Sequence, residues 1–370
     1  MTMIDAEERA AMRAGFARLL AEKCSEADVR RVMATPSGHD PALWQAISGM
    51  GLPALIVDAD HGGIGAGPVE VEAIMEEAGA ALFAGPLLSS AVLAAGLLNE
   101  SDDIDAKSRL LPGLAAGETI AAVALTGEGG TWTPDGVAAR ASAAGDAWTL
   151  DGTASFVLSA NIADVLLVVA RTADGLGCFE VAPDAATVTA EVLESWDRTL
   201  RLSRIAFSSA PARRLAGIDG AAIERVLDLG RVALAGEQAG AARRIFEITV
   251  EYLKTRVQFG RPIGGFQALK HMAADLLIDV ESATSAARAA AHALADDAPD
   301  KAVLVNLAAF ACADAFSNVA ATAIQMHGGI AFTWEHPAHL YWRRARADAQ
   351  LFGQSEMYRE RYLTALENAA

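Results

Sequence analysis

Three side chains that could hold a phosphate and a flat ring lie close together at Arg256, Gln258 and Phe259. The stretch reads RVQFGRPIGGFQ and separates two long segments whose apolar residues recur at helical spacing. A guanidinium fork matches phosphate oxygens, and an aromatic ring offers a face for stacking. Proline and glycine favour conformations outside the helix, so we expect an ordered corner between two helices. A helix-capping arginine and a core phenylalanine would explain the same residues without a ligand.

A second segment at 323–337, AIQMHGGIAFTWEHP, contains adjacent glycines that let a ligand approach the backbone. Together the two segments resemble, in residue type and order, two cofactor-contacting signatures of the acyl-CoA dehydrogenase family. The resemblance covers nearly the whole chain and implies FAD as cofactor, with the first segment reaching the flavin dinucleotide of a neighbouring subunit. Ala331 stands where the family usually has a third glycine, which adds a methyl group at a tight position. The implied FAD contacts here are Arg256, Gln258, Phe259, Gln325, Gly328 and Gly329.

Four residues earlier in the chain match further flavin contacts of the family. The resemblance places Leu125 and Thr126 where a family threonine hydrogen-bonds the flavin ring, and Phe156 and Ser159 where an aromatic residue lies against it. An ordinary strand-end threonine and a core phenylalanine are the alternatives. The family's Pro-Gly-x-Gly-Ser stretch is replaced by GEGGT at 127–131, so we expect this edge of the acyl-CoA and flavin site to be remodelled.

The reaction of this family needs a carboxylate, which is absent from both of its usual positions. Oxidising a saturated thioester removes a weakly acidic α-proton, so a positioned base must take it. The matching positions here are Phe352, before Gly353, and Gly230, before Arg231. The family uses the retained Arg231 near the base and the substrate, which implies a contact with acyl-CoA. The nearby carboxylates, each expected to be structural or solvated, are Asp228, Glu237 and Glu356.

The missing base favours a chain that works with a partner. Some bacterial members of the family are mixed tetramers of chains with and without the base, and WEHPAHLY at 334–341 resembles their base-lacking chains. This implies a heterotetramer with a glutamate-bearing homologous chain, a bulky CoA thioester such as a degraded sterol side chain, and an electron-transferring acceptor protein. Two alternatives stay open: a homo-oligomeric dehydrogenase with an atypical base such as Glu356 or Asp228, and a non-enzymatic structural or regulatory subunit.

Composition narrows the class of protein. The 370 residues are 52% hydrophobic and 21% charged, which permits a large core. The net charge of −17 argues against nucleic acid as a partner, because its phosphates would be repelled. Cysteines without metal spacing, and an acidic N-terminus without a long apolar run, favour a cytoplasmic protein with no membrane partner. The histidines, including His327 and His336, form no H-E-x-x-H motif, so we expect packing or capping roles and no metal.

Hydrophobic periodicity divides the chain into three predicted domains. Helical spacing dominates 1–118, short strand-like runs fill 119–215, and long helical segments return in 216–370. The predicted fold is α+β multidomain, with N-terminal helices, a middle β-barrel or sandwich and a C-terminal four-helix bundle, as the resemblance also implies. The dipeptide Asp151–Gly152 predicts a hairpin turn. The expected helices are 4–22, 41–50, 82–98, 221–254, 266–296, 299–326 and 336–365.

Overall fold

The structure is a computed structural model that describes residues 4–145 and 147–369. Its described residues form two compact units, one made of 4–5, 30–67 and 84–230, and the other of 6–29, 68–83 and 231–369. Each unit therefore combines segments that are distant in the sequence. The domain boundaries after 118 and 215 remain a prediction, while all strands of the described barrel lie within 121–214.

Helices dominate the described chain up to residue 116. Asp40 caps one of them by accepting hydrogen bonds from the amides of Ala42 and Leu43 at 3.0 and 3.2 Å. The helix expected at 82–98 begins later, with a buried π-helical stretch, because Leu82 has a left-handed backbone with φ of 50°. These helices are α1 Ala6–Lys23, α2 Glu26–Met33, α3 Pro41–Ser48, α4 Pro68–Ala80, the π-helix Leu87–Ala94, α5 Ala95–Glu100 and α6 Ile104–Ala116.

The middle strands close into a barrel. They are β1 Ala121–Ala124, β2 Arg140–Ala144, β3 Ala147–Leu158, β4 Val165–Thr172, β5 Gly175–Val181, β6 Val188–Val192 and β7 Leu202–Arg214. Antiparallel pairs run from β2 through β3, β7 and β5 to β4, and a parallel contact between β4 and β2 completes the ring. β1 joins β4, and β6 joins β7. Closure removes most free strand edges and encloses a core that includes Leu150, Phe179 and Ile205.

The Asp151–Gly152 pair is not a hairpin turn, contrary to the prediction. Both residues lie inside β3, where the register against β7 shifts between Leu150 and Gly152. Gly152 has φ of 110°, and the Asp151 carboxylate accepts a hydrogen bond from the Ser209 amide at 2.7 Å. A β-bulge and a tight hairpin turn both use the conformational freedom of glycine, so the dipeptide cannot distinguish them. The chain instead turns at Gly145, after β2, and residue 146 lies outside the described residues.

Long helices return after the barrel, as the periodicity predicts. The single helix expected at 336–365 is wrong, because Phe352 and Gly353 have φ of 62° and 133°, which no α-helix contains. The segment Lys301–Phe332 is long and apolar enough to span a membrane by length and composition, and its buried Cys312 belongs to the bundle core. The helices are α7 Gly220–Thr255, α8 Gln267–Ala295, α9 Lys301–His327, α10 Ala338–Asp348 and α11 Ser355–Ala369.

Helix α4 and the second part of α7 approach each other backbone to backbone. A Cβ added to Gly240 would lie 1.8 Å from the Glu76 carbonyl oxygen, and one on Gly236 would lie 2.7 Å from that of Glu72. Only glycine permits such contacts. The close approach carries Glu72 and Glu76 into the interior, where they are 3% and 1% exposed.

These two buried carboxyl groups differ in their partners. Glu76 lies 2.6 Å from an Arg13 nitrogen and 3.3 Å from nitrogens of both Arg243 and Arg288. In the described part of the chain, Oε1 of Glu72 accepts no hydrogen bond. Burial, followed by the charge of Glu76, raises the pKa of Glu72 to about 7. Glu72 therefore titrates near neutral pH inside the helical unit.

We expect Glu72→Gln to flatten the dependence of the free energy of unfolding on pH. A carboxyl group whose pKa is raised from 4.5 to about 7 stabilises the native state fully below pH 4.5, and about 3 kcal/mol is lost as the pH rises to 7. Urea denaturation at a series of pH values measures this loss. The exposed Glu360→Gln is the matched control, and a Glu72→Gln curve that parallels the wild type would contradict the assignment.

Candidate functional site

The predicted corner after α7 is a two-residue β-hairpin. Its strands are β8, Val257–Gln258, and β9, Arg261–Pro262, paired antiparallel. Phe259 and Gly260 form the turn with φ of 53° and 76°, the positive values that a type I′ turn requires. A phenylalanine in this conformation costs about 1 kcal/mol or more. The hairpin therefore holds Phe259 in a strained but defined position.

The hairpin presents its candidate ligand groups to solvent. Arg256 and Gln258 are exposed, and Phe259 is 90% exposed. The Phe259 and Phe266 rings lie edge to face, with their centroids 6.0 Å apart. The Arg261 guanidinium carbon lies 4.1 Å from the centroid of the Phe266 ring. The predicted guanidinium, amide and ring are therefore together and accessible at one corner.

The second signature begins where α9 ends. Gly328 has φ of 67° and ψ of −147°, a combination close to a region that essentially only glycine occupies. A Cβ added to Gly328 or Gly329 would meet no atom within 4 Å. Gln325 is exposed on the last turn of α9. The space beside both glycines is thus open, and a ligand can approach the backbone there.

Ala331 does not crowd that open space. It lies in the 3-10 helix Gly328–Phe332 and is 0% exposed. Its methyl group is enclosed by the protein, so it is packed inside the unit and away from the surface opened by Gly328 and Gly329. The substitution for the usual third glycine is therefore accommodated locally.

Thr126, just after β1, uses its hydroxyl group within its own loop. It is 2% exposed and donates a hydrogen bond to the Thr131 carbonyl oxygen at 2.5 Å. A carbonyl oxygen can only accept, so the hydroxyl proton is committed and Thr126 offers a ligand only lone pairs. The neighbouring Leu125 is half-buried and lines a cavity of about 30 Å³ together with Trp132 and Leu227.

Phe156 and Ser159 share an unusual backbone conformation, with φ of 57° at both positions. A Cβ added to Gly130 would lie 3.3 Å from the Phe156 ring, and the Ser159 amide donates to the Arg201 carbonyl oxygen at 3.0 Å. The replaced segment 127–131 thus contacts both Thr126 and Phe156, two residues that the resemblance assigns to the flavin ring.

Neither family position for the base carries an ionisable group. Gly230 is buried in α7, and the Phe352 side chain is among the largest that are fully buried. The Tyr358 hydroxyl donates to the Phe352 carbonyl oxygen at 2.6 Å. A Cβ on Gly353 would lie 2.1 Å from the end of Met357. The ring at 352 is therefore part of the core.

Arg231 is held by the same tyrosine. Its Nε donates to the Tyr358 hydroxyl oxygen at 3.3 Å, and its guanidinium carbon lies 5.6 Å from the Tyr358 ring centroid. Arg231 is 3% exposed. Tyr358 thus links Arg231 to the backbone at Phe352, and the contact of Arg231 with acyl-CoA stays a prediction.

The nearby carboxylates have other surroundings. Glu237 forms a buried ion pair with Arg344 at 2.7 Å, and Arg344 also lies 3.3 Å from Asp348. Glu356 is exposed in the first turn of α11, and Asp228 is half-buried. Glu237 therefore neutralises a buried arginine, while Glu356 faces solvent.

Large apolar side chains are exposed in the same unit as the hairpin. They lie on the hairpin, on the first half of α8, after α9 and on α11, and Phe259 and Phe332 are 90% and 80% exposed. Where such groups form a contiguous patch, they mark a surface that another molecule covers. The other large apolar side chains exposed in this unit are Val257, Leu277, Ile278, Ile330 and Trp334, together with Leu363 and Leu366 on α11.

The chain has a β-barrel between helical segments, an arginine–aromatic hairpin after one long helix and a glycine segment after another, which is the arrangement that the sequence resemblance implies for flavin-dependent dehydrogenases of acyl thioesters. Models of the acyl-CoA dehydrogenase N-terminal domain and C-terminal domain match residues 6–118 and 219–366. The chain belongs to the acyl-CoA dehydrogenase family. This confirms the predicted family and the predicted fold class.

Similar proteins support the assignment along nearly the whole chain. Acyl-CoA dehydrogenase IpdE2 of Mycobacterium tuberculosis is 36% identical over 94% of both chains. The ChsE4-ChsE5 complex from Mycobacterium tuberculosis contains a chain that is 28% identical, with a TM-score of 0.91 and 99% of each chain covered. The Tcur3481-Tcur3483 steroid ACAD contains one that is 30% identical, with a TM-score of 0.89 and 98% of each covered.

Membership makes FAD the cofactor and oxidation of a CH–CH bond the reaction class. The hairpin fits the nucleotide half of FAD, because its guanidinium and ring are exposed on a defined turn. The glycine segment fits it too, because the backbone at Gly328 and Gly329 is open. FAD, when bound, accepts the hydride from the substrate.

No sequence pattern predicted the contacts of Tyr358 and Arg344. Tyr358 joins Arg231 to Phe352, and Arg344 pairs with Glu237 and donates to the Phe83 carbonyl oxygen at 3.2 Å. Arg344 belongs to the basic run Arg343, Arg344 and Arg346, which predicts a solvated or interface-paired face, whereas the structure buries Arg344. Tyr358 gave no signal because its partners are distant in sequence.

We expect Phe352→Glu to destabilise the chain by more than about 3 kcal/mol and to give no dehydrogenase activity. The change removes a buried ring and places a carboxylate in its site. Chemical denaturation measures the first effect, and flavin reduction by acyl-CoA measures the second. Leu363→Glu on exposed α11 is the control, expected within about 0.5 kcal/mol of wild type. A stable, active Phe352→Glu protein would show that position 352 opens onto an acyl site.

Proposed function

We propose that this chain is the base-lacking subunit of a heteromeric FAD-dependent acyl-CoA dehydrogenase. The observation that carries the proposal is the contrast between two places in one unit. Position 352 holds a buried phenylalanine, whereas the hairpin holds Arg256 and Phe259 in the open. The chain retains groups that suit a cofactor and lacks the carboxylate that the reaction requires at its usual positions.

The partner must supply the missing proton acceptor. A carboxylate must take the α-proton of the thioester, and FAD, when bound, would take the β-hydride with its electron pair, leaving an α,β double bond in the substrate. The side chains of Gly230 and Phe352 cannot accept a proton, so the base comes from a homologous chain with glutamate at one of these positions. The electrons taken by the cofactor would pass on to an electron-transferring protein.

This chain's own contribution is to bind and orient the nucleotide. Arg256 supplies a fixed cation for phosphate oxygens, and Gln258 supplies an amide donor and acceptor. Phe259 supplies a ring for stacking on a flat group. Gly328 and Gly329 allow the ligand close to the backbone, with Gln325 as an additional polar contact.

The flavin ring that these groups serve belongs to the partner's barrel. In this chain, the Thr126 hydroxyl already donates to the Thr131 carbonyl oxygen, and the half-buried Phe156 ring lies beside Gly130. Both contacts come from the segment that replaces the family's usual loop. We therefore infer one FAD for each pair of unlike chains, with Leu125, Thr126, Phe156 and Ser159 freed from a direct cofactor role.

The exposed apolar residues support a partner of the same fold. Phe259, Phe332 and Trp334 lie near the cofactor-holding segments in sequence and stay exposed in the isolated chain. The ChsE4-ChsE5 complex shows that a structural relative assembles from unlike chains. A heterotetramer covers these rings, and the steroid-directed relative favours a bulky CoA thioester as substrate.

We expect the purified chain to be colourless and to become a yellow, active enzyme only with a glutamate-bearing homologous chain. Absorbance of the purified complex measures FAD, and the expected ratio is one FAD to one pair of chains. A yellow homomeric protein that acyl-CoA reduces would instead establish the homomeric alternative with Glu356 or Asp228 as base. A chain that stays colourless with every such homologue would establish the structural or regulatory alternative.

We expect Arg256→Gln to weaken FAD binding by the complex at least about tenfold, or about 1.4 kcal/mol, because a charge-assisted contact with phosphate is lost. Fluorescence titration with FAD measures the dissociation constant. Arg18→Gln, an exposed change on α1, is the control and should leave it unchanged. If Arg256→Gln and wild type bind FAD with equal affinity, Arg256 of the hairpin does not contact the cofactor.

A further inference from the structure

Three aromatic side chains stack beside the glycine segment. The His327 ring centroid lies 4.5 Å from that of Tyr252 and 4.3 Å from that of His336. His327 is the last residue of α9, and His336 precedes α10. The two histidines therefore join the two ends of the segment that contains Gly328 and Gly329, and α7 supplies the third ring.

The hydrogen bonds of His327 define which nitrogen carries its proton. Nδ1 lies 2.8 Å from the Ala323 carbonyl oxygen, which can only accept, so Nδ1 carries the hydrogen and Nε2 carries a lone pair. His327 is 4% exposed, and among the described residues nothing hydrogen-bonds its Nε2. Protonation of the imidazole would place a hydrogen on the buried Nε2, which has no hydrogen-bond acceptor among the described residues, and this is unfavourable.

The neighbouring imidazole is fixed in a related way. Nδ1 of His336 accepts a hydrogen bond from the Ala338 amide at 3.2 Å, which ties the ring to the start of α10. The Tyr252 hydroxyl group lies 3.4 Å from the His327 carbonyl oxygen. The three rings thus connect α7, the end of α9 and the start of α10.

We propose that the stack of Tyr252, His327 and His336 positions the backbone of Gly328 and Gly329 for the nucleotide half of FAD, and that it does so only while His327 is neutral. The inference rests on the proposed cofactor site. His327 acts here as a positioning residue, since it is buried and orders the segment that approaches the ligand. FAD binding by this chain is therefore coupled to a proton.

The direction of the coupling follows from the surroundings of the ring. Burial lowers the pKa of His327 below its ordinary value of 6.5, and the hydrogen bond to Ala323 opposes this only in part. The titratable groups that face the ring are Tyr252 from α7 and His336 from the following segment. A lowered pKa means that the ordered form is fully stabilised above pH 6.5 and is lost as the pH falls through the lowered value.

The test measures the dissociation constant of FAD for the assembled complex between pH 8 and 5.5. Wild type is expected to bind more weakly at pH 5.5 than at pH 7.5, by at most about tenfold, because one coupled proton on a group with a pKa below 6.5 cannot weaken binding further over this range. His327→Phe keeps a ring in the stack and removes the titration, so we expect affinity within about threefold of wild type at pH 7.5 and little change with pH. His292→Gln, an exposed histidine on α8, should keep the wild-type profile.

A second variant separates positioning from titration. His336→Asn retains a side-chain acceptor for the Ala338 amide but removes the ring contact, so FAD binding should weaken several-fold at every pH. The inference is overturned if His327→Phe keeps the full pH dependence of wild type, or if His336→Asn binds FAD normally. A complex that binds no FAD at any pH overturns the proposed function and this inference with it, so the two failures are distinguishable.

Discussion

The conformation of the chain at Phe352 depends on the two hydrogen bonds of the Tyr358 hydroxyl group. It accepts a hydrogen bond from Arg231 and donates one to the Phe352 carbonyl oxygen, so it fixes a loop with positive φ at two successive residues. That loop turns the Phe352 ring into the core. Phe352 is therefore held in place by more than its own packing. The tyrosine, the glycine and the packed Met357 form one arrangement that a carboxylate at 352 would disrupt.

A second constraint holds the acidic side of the unit together. Gly236 and Gly240 let α4 and α7 touch through their backbones, which leaves Glu72 and Glu76 no route to solvent. Arginines from three helices surround Glu76, whereas Glu72 stays protonated more readily. A buried charge needs partners, so the glycine contact and the arginine cluster depend on each other. Glu237, which also lies on α7, is another buried carboxylate with an arginine partner, Arg344 of α10.

Local patterns predicted the elements, and long-range contacts decided their arrangement. Alternating and helical periodicity located the strands and most helices, because both reflect which faces are buried. Barrel closure depends on the pairing of β4 with both β2 and β5, which periodicity does not contain. Asp151–Gly152 misled because one dipeptide serves bulges and turns. The prediction that this chain lacks the base rests on Gly230 and Phe352 alone, whereas the tyrosine that holds Phe352 in place could not be predicted, since no spacing connects it to Arg231.

The parts of the chain that are costly in isolation are the parts that a partner and a cofactor would use. Phe259 has a strained backbone and is 90% exposed, and Phe332 is 80% exposed, so neither ring gains the stability of burial in the single chain. Position 352 is the reverse, because its ring is enclosed and contributes to the core. A chain that needed only its own stability would bury the first two. Phe332 is exposed in the same 3-10 helix as Gly328 and Gly329, and Phe259 is exposed on the hairpin, so both rings remain available for contact with another molecule.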